Sequence, residues 1–134
     1  MKSEHEQDKK AEPTKAELEI LQVLWGHGPS TVRFVNDRLN EQRDVNYTST
    51  LKLMQIMTDK GILVRDESQM KHIYHVAEEE QKTKGLLLDK FVDSVFHGSA
   101  GKLVMQLLGD KKASKEDLAS IKKILDKLDN NDKL

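Results

Sequence analysis

The sequence contains no cysteine, only two prolines and few aromatic residues: three Phe, two Tyr and one Trp among 134 residues. Without cysteine, disulfide scaffolds, thiol catalysis and thiolate metal sites are excluded. With so few aromatics, the core has to be built from Leu, Ile, Val and Met. A core that thin, in a chain with 34% charged residues, indicates that further apolar surface is buried against a partner subunit.

Long apolar runs and a charge bias are missing as well. No stretch is long enough to span a bilayer and none resembles a signal peptide, so we expect a soluble, cytoplasmic protein without membrane insertion. The formal net charge is −1, so the whole chain has no bias toward nucleic acid, although one face can still be basic. There is no glycine-rich phosphate loop and no metal-ligand spacing, and we expect no cofactor and no metal.

The first half of the chain predicts three helices. A capping box of Thr14 and Glu17 starts the first helix, and the turn GHGP ends it. Ser30 or Thr31 caps the second helix. The third helix begins after the polar link NEQRD and ends at Gly61, a residue type typical of helix C-termini.

Two β-rich runs follow these helices. ILVRD (62–66) and HIYHV (72–76) are separated by five residues, which predicts a β-hairpin. Three helices and a two-stranded wing are the layout of a winged helix-turn-helix. We therefore expect a mainly α fold with a small β-hairpin, in which residues 14–77 form a winged-helix domain. Residues 1–13 are charged and almost without apolar side chains, which predicts a disordered tail.

Residues 78–134 predict helices alone, each short and amphipathic. The first of these helices has an apolar stripe and the last has a heptad-like seam. Together they provide too few apolar residues to close a core. We therefore expect a helical dimerisation region in which two copies bury these residues against each other, with packing inside one chain as the alternative. The residues of this predicted dimer interface are Leu87, Phe91, Val95, Leu118, Ile121, Leu125 and Leu128.

The third helix carries a polar face that differs from an ordinary surface helix, because hydroxyls, one amide and one amine replace the usual Glu and Lys pairs. An α-helix fits the major groove of B-form DNA, where Lys52 is suited to guanine O6 and N7 and Gln55 to adenine N6 and N7. Thr48 and Ser49 are suited to phosphate. The alternatives are a solvated helix face, or a winged-helix module that docks onto a protein assembly without specific DNA binding.

Two further candidates for phosphate contacts lie outside that helix. Lys71 stands at the predicted hairpin tip, beside His72 and with Arg65 on the first strand, where a basic wing follows the DNA backbone. Thr31 can serve both as a helix cap and as a phosphate donor. The candidate DNA-binding residues are therefore Thr31, Thr48, Ser49, Lys52, Gln55 and Lys71.

An enzymatic interpretation has one starting point, the segment HGSAG at 97–101. A nucleophile elbow needs glycine two places before the serine, but His97 stands there before Ser99, and a predicted helix rather than a strand precedes it. We interpret the segment as a helix break and expect no catalytic residues.

The segments TKAELEILQVLWGHGPSTVRFVNDRL and NYTSTLKLMQIMTDKGIL, with a wing ending in HIYHV, resemble the penicillinase repressor (BlaI/MecI/CopY) family of bacterial transcription factors. The similarity continues through LLLDKFVDSVFHGSAGKLVMQLL and SKEDLASIKKIL, and so covers nearly everything after residue 13. The resemblance implies a homodimeric repressor that binds an inverted-repeat operator in double-stranded DNA.

The resemblance also implies a mode of induction. In antibiotic-responsive members a membrane sensor-protease system signals β-lactam, and the repressor is cleaved in its dimerisation region. By position, Gln106 and Leu107 occupy the cleavage point, where those members carry Asn followed by Phe. The copper-responsive branch uses C-terminal cysteine pairs, which this sequence lacks. Ile56 stands where many members have Arg and Lys52 where many have Thr, so the operator need not have the family's usual sequence.

Overall fold

The structure is a computed structural model that describes residues 12–132. It confirms the predicted fold class, with six helices and one antiparallel hairpin within these residues. In chain order these elements are α1 (Lys15–His27), α2 (Val32–Asn40), α3 (Tyr47–Asp59), β1 (Leu63–Asp66), β2 (Ile73–Val76), α4 (Glu80–Phe96), α5 (Ala100–Gly109) and α6 (Lys115–Asp132). None of the helices between residues 12 and 132 has the length and apolar character needed to cross a membrane.

The chain divides into two compact units, with the boundary inside α4. The first unit ends at Leu87 and the second begins at Leu88. The division before residue 78 that the sequence favours stays a prediction. The predicted tail, residues 1–13, lies outside the described residues except for its last two.

Local signals position α1 as predicted. The Thr14 hydroxyl accepts a hydrogen bond from the backbone N–H of Glu17 at 3.2 Å, and the Glu17 carboxylate accepts one from the Thr14 N–H at 2.8 Å. The helix ends at Gly28, where φ is +103° and the N–H donates to the Leu24 carbonyl at 2.7 Å. A positive φ favours glycine because a Cβ would be strained there.

The core of the first unit is aliphatic, as the composition predicts, with one aromatic side chain at its centre. Helices α1, α2 and α3 pack on one another, and α1 and α3 also pack on the hairpin. Leu18 and Trp25 on α1 are only partly buried against this core. The buried apolar side chains are Ile20, Leu21, Leu24, Val32, Val35, Leu39, Met54, Met57, Leu63 and Tyr74.

A buried ion pair joins the start of α1 to the end of α3. Glu17 is 1% exposed, and the Lys60 ammonium donates to both of its carboxylate oxygens at 3.0 and 2.9 Å. Burial alone would raise the pKa of Glu17, but the Thr14 N–H and the Lys60 ammonium outweigh burial and hold the pKa below its ordinary value of 4.5. The carboxylate is therefore charged inside the fold.

A second polar contact fixes the turn between α2 and α3. The buried Asn36 amide donates to the Val45 carbonyl at 3.0 Å and to the Thr50 hydroxyl at 2.8 Å. Asn40 makes two further hydrogen bonds in the same turn. Its amide nitrogen donates to the Val45 carbonyl at 2.8 Å, and its amide oxygen accepts from the Val45 N–H at 3.1 Å. The first turns of α3 are thereby tied to α2.

The hairpin pairs Leu63 with Val76 and Asp66 with Ile73, so each strand is one residue shorter than predicted. Ser30 extends this small sheet, because its N–H and carbonyl both bond to the backbone of Tyr74, at 3.0 and 2.8 Å. The assignment of Ser30 as a possible helix cap is wrong for this reason. Thr31 caps α2 instead, accepting from the Phe34 N–H at 3.1 Å.

The second unit contains the end of α4 with α5 and α6. The predicted helix break at HGSAG is confirmed, with His97 and Gly98 at φ values of +51° and +83°. Ser99 caps α5 by accepting from the Lys102 N–H at 3.2 Å. Ser114 and Asp117 bond reciprocally at the start of α6, each backbone N–H donating to the side-chain oxygen of the other residue.

The depressed pKa of Glu17 predicts an acid-dependent loss of stability. The folded pKa lies below the unfolded one, so the stabilisation is present above about pH 4.5 and is lost as the pH falls through the folded pKa. Glu17→Gln keeps the capping oxygen but removes the charge, and we expect it to lower the free energy of unfolding by about 1–3 kcal/mol at pH 7. Urea denaturation from pH 7 to pH 3 should show this difference shrinking on acidification.

The control is Glu41→Gln, at an exposed carboxylate 3.8 Å from Arg38, which should change the unfolding free energy little at any pH. A difference between wild type and Glu17→Gln that stayed constant down to pH 3 would contradict the assignment.

The Asn36–Thr50 bond predicts a second stability effect. Thr50→Val keeps the shape of a fully buried side chain but leaves one N–H of the Asn36 amide without an acceptor. We expect the free energy of unfolding to fall by about 1–3 kcal/mol in urea denaturation. Thr48→Val, an exposed site on the same helix, is the matched control and should stay within about 0.5 kcal/mol of wild type. Equal effects of the two substitutions would show that the bond contributes nothing.

Candidate nucleic-acid interface

Helix α3 presents a mainly polar side to solvent, on which Ile56 is also 40% exposed. It begins at Tyr47 after the N-cap Asn46, whose side-chain oxygen accepts from the Ser49 N–H at 2.8 Å. Thr50, Met54 and Met57 are fully buried on the opposite side. The structure brings the predicted reading residues together on the exposed side, namely Thr48, Ser49, Lys52 and Gln55.

The two other predicted DNA-binding residues lie on different elements. Thr31 is half-buried at the start of α2 and its oxygen accepts the capping bond, which leaves the hydroxyl hydrogen free to donate. Lys71 is exposed in the loop that joins β1 to β2. The wing also contains Arg65, whose guanidinium bonds to Tyr74 and pairs with Glu67, and these contacts raise its pKa. Arg65 is therefore already neutralised, unlike Lys71.

Most basic side chains of the first unit are paired with carboxylates. The ion pairs are Arg38–Glu41, Arg43–Glu19, Lys60–Glu17, Arg65–Glu67, Lys82–Glu78 and Lys84–Glu80. Lys15 helps to lower the pKa of Glu19, after the larger effect of the hydrogen bond from Arg43.

Four cations of this unit are different. Among the residues that the structure describes, Lys15, Arg33, Lys52 and Lys71 have no carboxylate within ion-pair distance. Lys15 lies at the start of α1, and the other three lie at the start of α2, on the exposed side of α3 and in the hairpin loop. A chain with a net charge of −1 can in this way still present basic groups next to its polar helix face.

Sequence reasoning missed Arg33 and Tyr47. The guanidinium carbon of Arg33 lies 4.6 Å from the centroid of the Tyr47 ring, and both side chains are exposed. The segment TVRFV has the pattern of an ordinary amphipathic helix start, so nothing in it singles out the arginine. The contact joins residues on two helices and has no signature in local periodicity.

The residues of the predicted dimer interface are largely exposed. Phe91, Val95, Leu118, Leu125 and Leu128 are exposed, while Leu87 and Ile121 are half-buried. Further large apolar side chains are exposed in the second unit: Leu88, Val104, Met105, Leu107, Leu108 and Ile124. Within its described part, Val92 is the only apolar side chain that is fully buried. Exposed apolar surface of this extent marks a protein interaction site.

The residues at the predicted cleavage point are both exposed inside α5. The Gln106 side chain donates to the Asp110 carboxylate at 2.9 Å, one turn further along the helix. Elsewhere in this unit, Ser99 acts as the cap of α5, and within the described residues no hydrogen bond joins it to His97. Between residues 12 and 132 there is no group of three or more His, Asp or Glu side chains that could hold a metal ion.

The sequence matches known proteins along most of its length. The penicillinase repressor family model covers residues 13–127. The methicillin resistance regulatory protein MecI of Mammaliicoccus sciuri is 22% identical over 120 residues, which are 90% of this chain and 98% of that protein. The protein of the same name from Staphylococcus aureus strain N315 is 21% identical over the same shares. The transcriptional regulator BlaI of Mycobacterium tuberculosis strain CDC 1551 / Oshkosh is 27% identical over 85 residues, 62% of each chain. The chain belongs to the penicillinase repressor family.

Proposed function

We propose that this protein is a transcriptional repressor that binds an inverted-repeat operator in double-stranded DNA as a homodimer, with α3 in the major groove. The observation that carries the proposal is the exposed side of α3 from Thr48 to Gln55, where hydroxyls, an amide and an unpaired lysine stand and the one carboxylate, Asp59, lies at the C-terminal end of the helix. Family membership supports it, as do the names of the relatives, a methicillin resistance regulatory protein and a transcriptional regulator.

Lys52 and Gln55 have the chemistry to distinguish bases. Lys52 can donate to guanine O6 and N7, and no carboxylate of residues 12–132 forms an ion pair with its ammonium. Gln55 can pair with adenine through its amide, donating to N7 and accepting from N6. Both side chains are exposed, so they can reach the base edges without disturbing the buried Met54 and Met57.

The remaining residues position the helix rather than read bases. Thr48 and Ser49 stand in the first turn of α3, where hydroxyl groups can donate to phosphate oxygens at the edge of the groove. Thr31 can do the same at the start of α2. Lys71 at the hairpin tip is proposed to bind the backbone beyond the groove that α3 occupies.

The dimer follows from the apolar surface of the second unit. Leu125 is 58% exposed and Leu128 is 56% exposed, values that leave most of two large side chains in water. A two-fold homodimer would bury the same residues from both copies and give one winged-helix unit to each half-site. Joining two weak half-site contacts in one molecule raises the overall affinity by orders of magnitude.

Cleavage in the dimerisation region would reverse that gain. A cut between Gln106 and Leu107 would separate α6, with Leu118 to Leu128, from the winged-helix unit. The bond lies inside α5, so a protease requires this helix to open first. A membrane sensor-protease system of the kind that the resemblance implies is the proposed source of the signal.

The alternative, a module that docks onto a protein assembly, was favoured by the near-neutral net charge. The pairing of most cations with carboxylates accounts for that charge while leaving Arg33, Lys52 and Lys71 unpaired. One experiment distinguishes the two functions, namely the selection of bound fragments from randomised duplex DNA after washing at physiological salt. An enriched inverted repeat supports the repressor, and a lack of enrichment favours the protein-interaction module.

Two substitutions test the separate roles of α3 and the wing on the selected repeat. Gln55→Ala should relax base preference at one position of each half-site and cost about 1–3 kcal/mol there. Lys71→Ala should instead weaken all sequences similarly and reduce the salt dependence of binding. Competition with single-base variants of the repeat at several salt concentrations measures both effects. If each mutant bound like wild type, the assigned face would be wrong.

A third substitution tests the dimer. Leu125→Lys places a charge in the proposed interface, and we expect sedimentation equilibrium to shift from twice the chain mass toward the 15.3 kDa monomer. Operator affinity should fall with it. Lys123→Ala, on the opposite side of α6, is the control and should leave the mass unchanged. A Leu125→Lys protein that stayed dimeric would place the interface elsewhere.

A further inference from the structure

Arg33 and Tyr47 connect the first turns of the two helices that form the helix-turn-helix. Arg33 is the second residue of α2 and Tyr47 is the first residue of α3. The guanidinium carbon lies 4.6 Å from the ring centroid, within the range of a favourable cation–π contact. Tyr47 is 37% exposed, so this contact forms at the surface rather than in the core.

The guanidinium is free to bind an anion. The next two arginines along the chain are neutralised, since Arg38 pairs with Glu41 at 3.8 Å and Arg43 with Glu19 at 2.9 Å. Within the described part of the chain, Arg33 has no such partner. The contact with the tyrosine ring places the guanidinium carbon over the ring and uses no carboxylate, so the N–H donors of the cation remain available for an anion.

We propose that Arg33 is a phosphate-binding residue of the DNA interface and that Tyr47 holds it in position. This inference rests on the proposed function. The planar fork of an arginine matches two phosphate oxygens at once. Its place beside the first residue of α3 puts it at the edge of the groove, next to Thr48 and Ser49, and not over the bases that Lys52 and Gln55 would contact.

Because of the tyrosine contact, this arginine should lose less side-chain freedom on binding phosphate than a free surface lysine would. A long side chain loses rotamer freedom when it binds, and that loss opposes binding. Stacking on Tyr47 removes part of this freedom before DNA arrives, so less is lost on association. The phosphate contact would in turn set how far α3 enters the groove and where along the duplex it stops.

The test measures binding of the full-length protein to a short mixed-sequence duplex as the salt concentration is varied. A dimer that loses one phosphate contact per protomer should show a log–log salt slope smaller in magnitude by about 1.8. We expect this slope for Arg33→Ala, with affinity at least about tenfold lower at low salt. Arg33→Lys keeps the charge and should keep the slope, but it should bind more weakly than wild type because it lacks the fork.

The matched control is Arg38→Ala, which removes the same charge from the exposed side of the same helix and should leave the slope unchanged. A wild-type slope for Arg33→Ala would overturn the phosphate contact while leaving the proposed function intact. If the wild-type protein itself bound duplex DNA without salt dependence, the proposed function would fail and not only this inference.

The positioning role of Tyr47 has its own readout. Tyr47→Phe keeps the ring and should bind like wild type, whereas Tyr47→Leu should bind more weakly. In the Arg33→Ala background, Tyr47→Leu should cause no further loss, because its effect acts through the arginine. Equal losses in both backgrounds would show that Tyr47 contacts DNA directly, and the positioning role would be wrong. Thermal unfolding of each variant confirms that the exposed substitutions leave the fold intact.

Discussion

The buried amide of Asn36 determines how α3 is presented to solvent. One side chain on α2 donates both to the Val45 carbonyl in the turn and to the Thr50 hydroxyl on α3. Successive helix residues differ by about 100° around the axis, so directing Thr50 inward leaves Thr48 and Lys52 pointing outward. A rotation of α3 by a single residue would break the bond and leave an unpaired amide in the core. The orientation of the candidate reading face therefore depends on a hydrogen bond that no residue of that face makes.

Directional polar contacts matter here because the apolar packing of α3 is permissive. Its two fully buried apolar residues are Met54 and Met57, and methionine adapts to irregular spaces without specifying one arrangement. Asn36 holds the N-terminal part of the helix, and the Glu17–Lys60 pair holds the chain just after its C-terminal end. Each buried polar group is satisfied only in one geometry, so the two contacts together supply the specificity that the methionines do not.

Much of the fold can be predicted from local signals, and the interactions that orient the site cannot. The Thr14–Glu17 capping box, the break at Gly98 and the hairpin depend on residues close in sequence, and all of them are present. By contrast, Asn36 and Thr50 are 14 positions apart, and each has the residue type of a solvated surface. The sequence left the cap of α2 open between Ser30 and Thr31 for the same reason, since the pairing of Ser30 with Tyr74 joins the turn after α1 to the hairpin.

The same limit applies to the candidate site. Residue type alone suggests Lys52 as a DNA contact, but Lys60 on the same helical segment has the same chemistry and is bound to Glu17. Only the tertiary structure shows which cations remain unpaired, and it adds Arg33, which lies among ordinary helix residues in the sequence. Candidate residues were thus predictable from the sequence, whereas the distribution of free charge was not.

A small number of free cations has a consequence for regulation in the proposed complex. With about two charged phosphate contacts per protomer, from Arg33 and Lys71, a monomer would have a salt slope near −1.8 and a dimer one near −3.6, since each contact adds about −0.9. The sequence-independent attraction of one unit for DNA is then weak at physiological salt, and occupancy of an operator requires two linked units. Because most of the other cations are paired with carboxylates, occupancy of the operator depends strongly on the dimer. Any process that opens α5 or separates the two copies would act on DNA binding without touching α3.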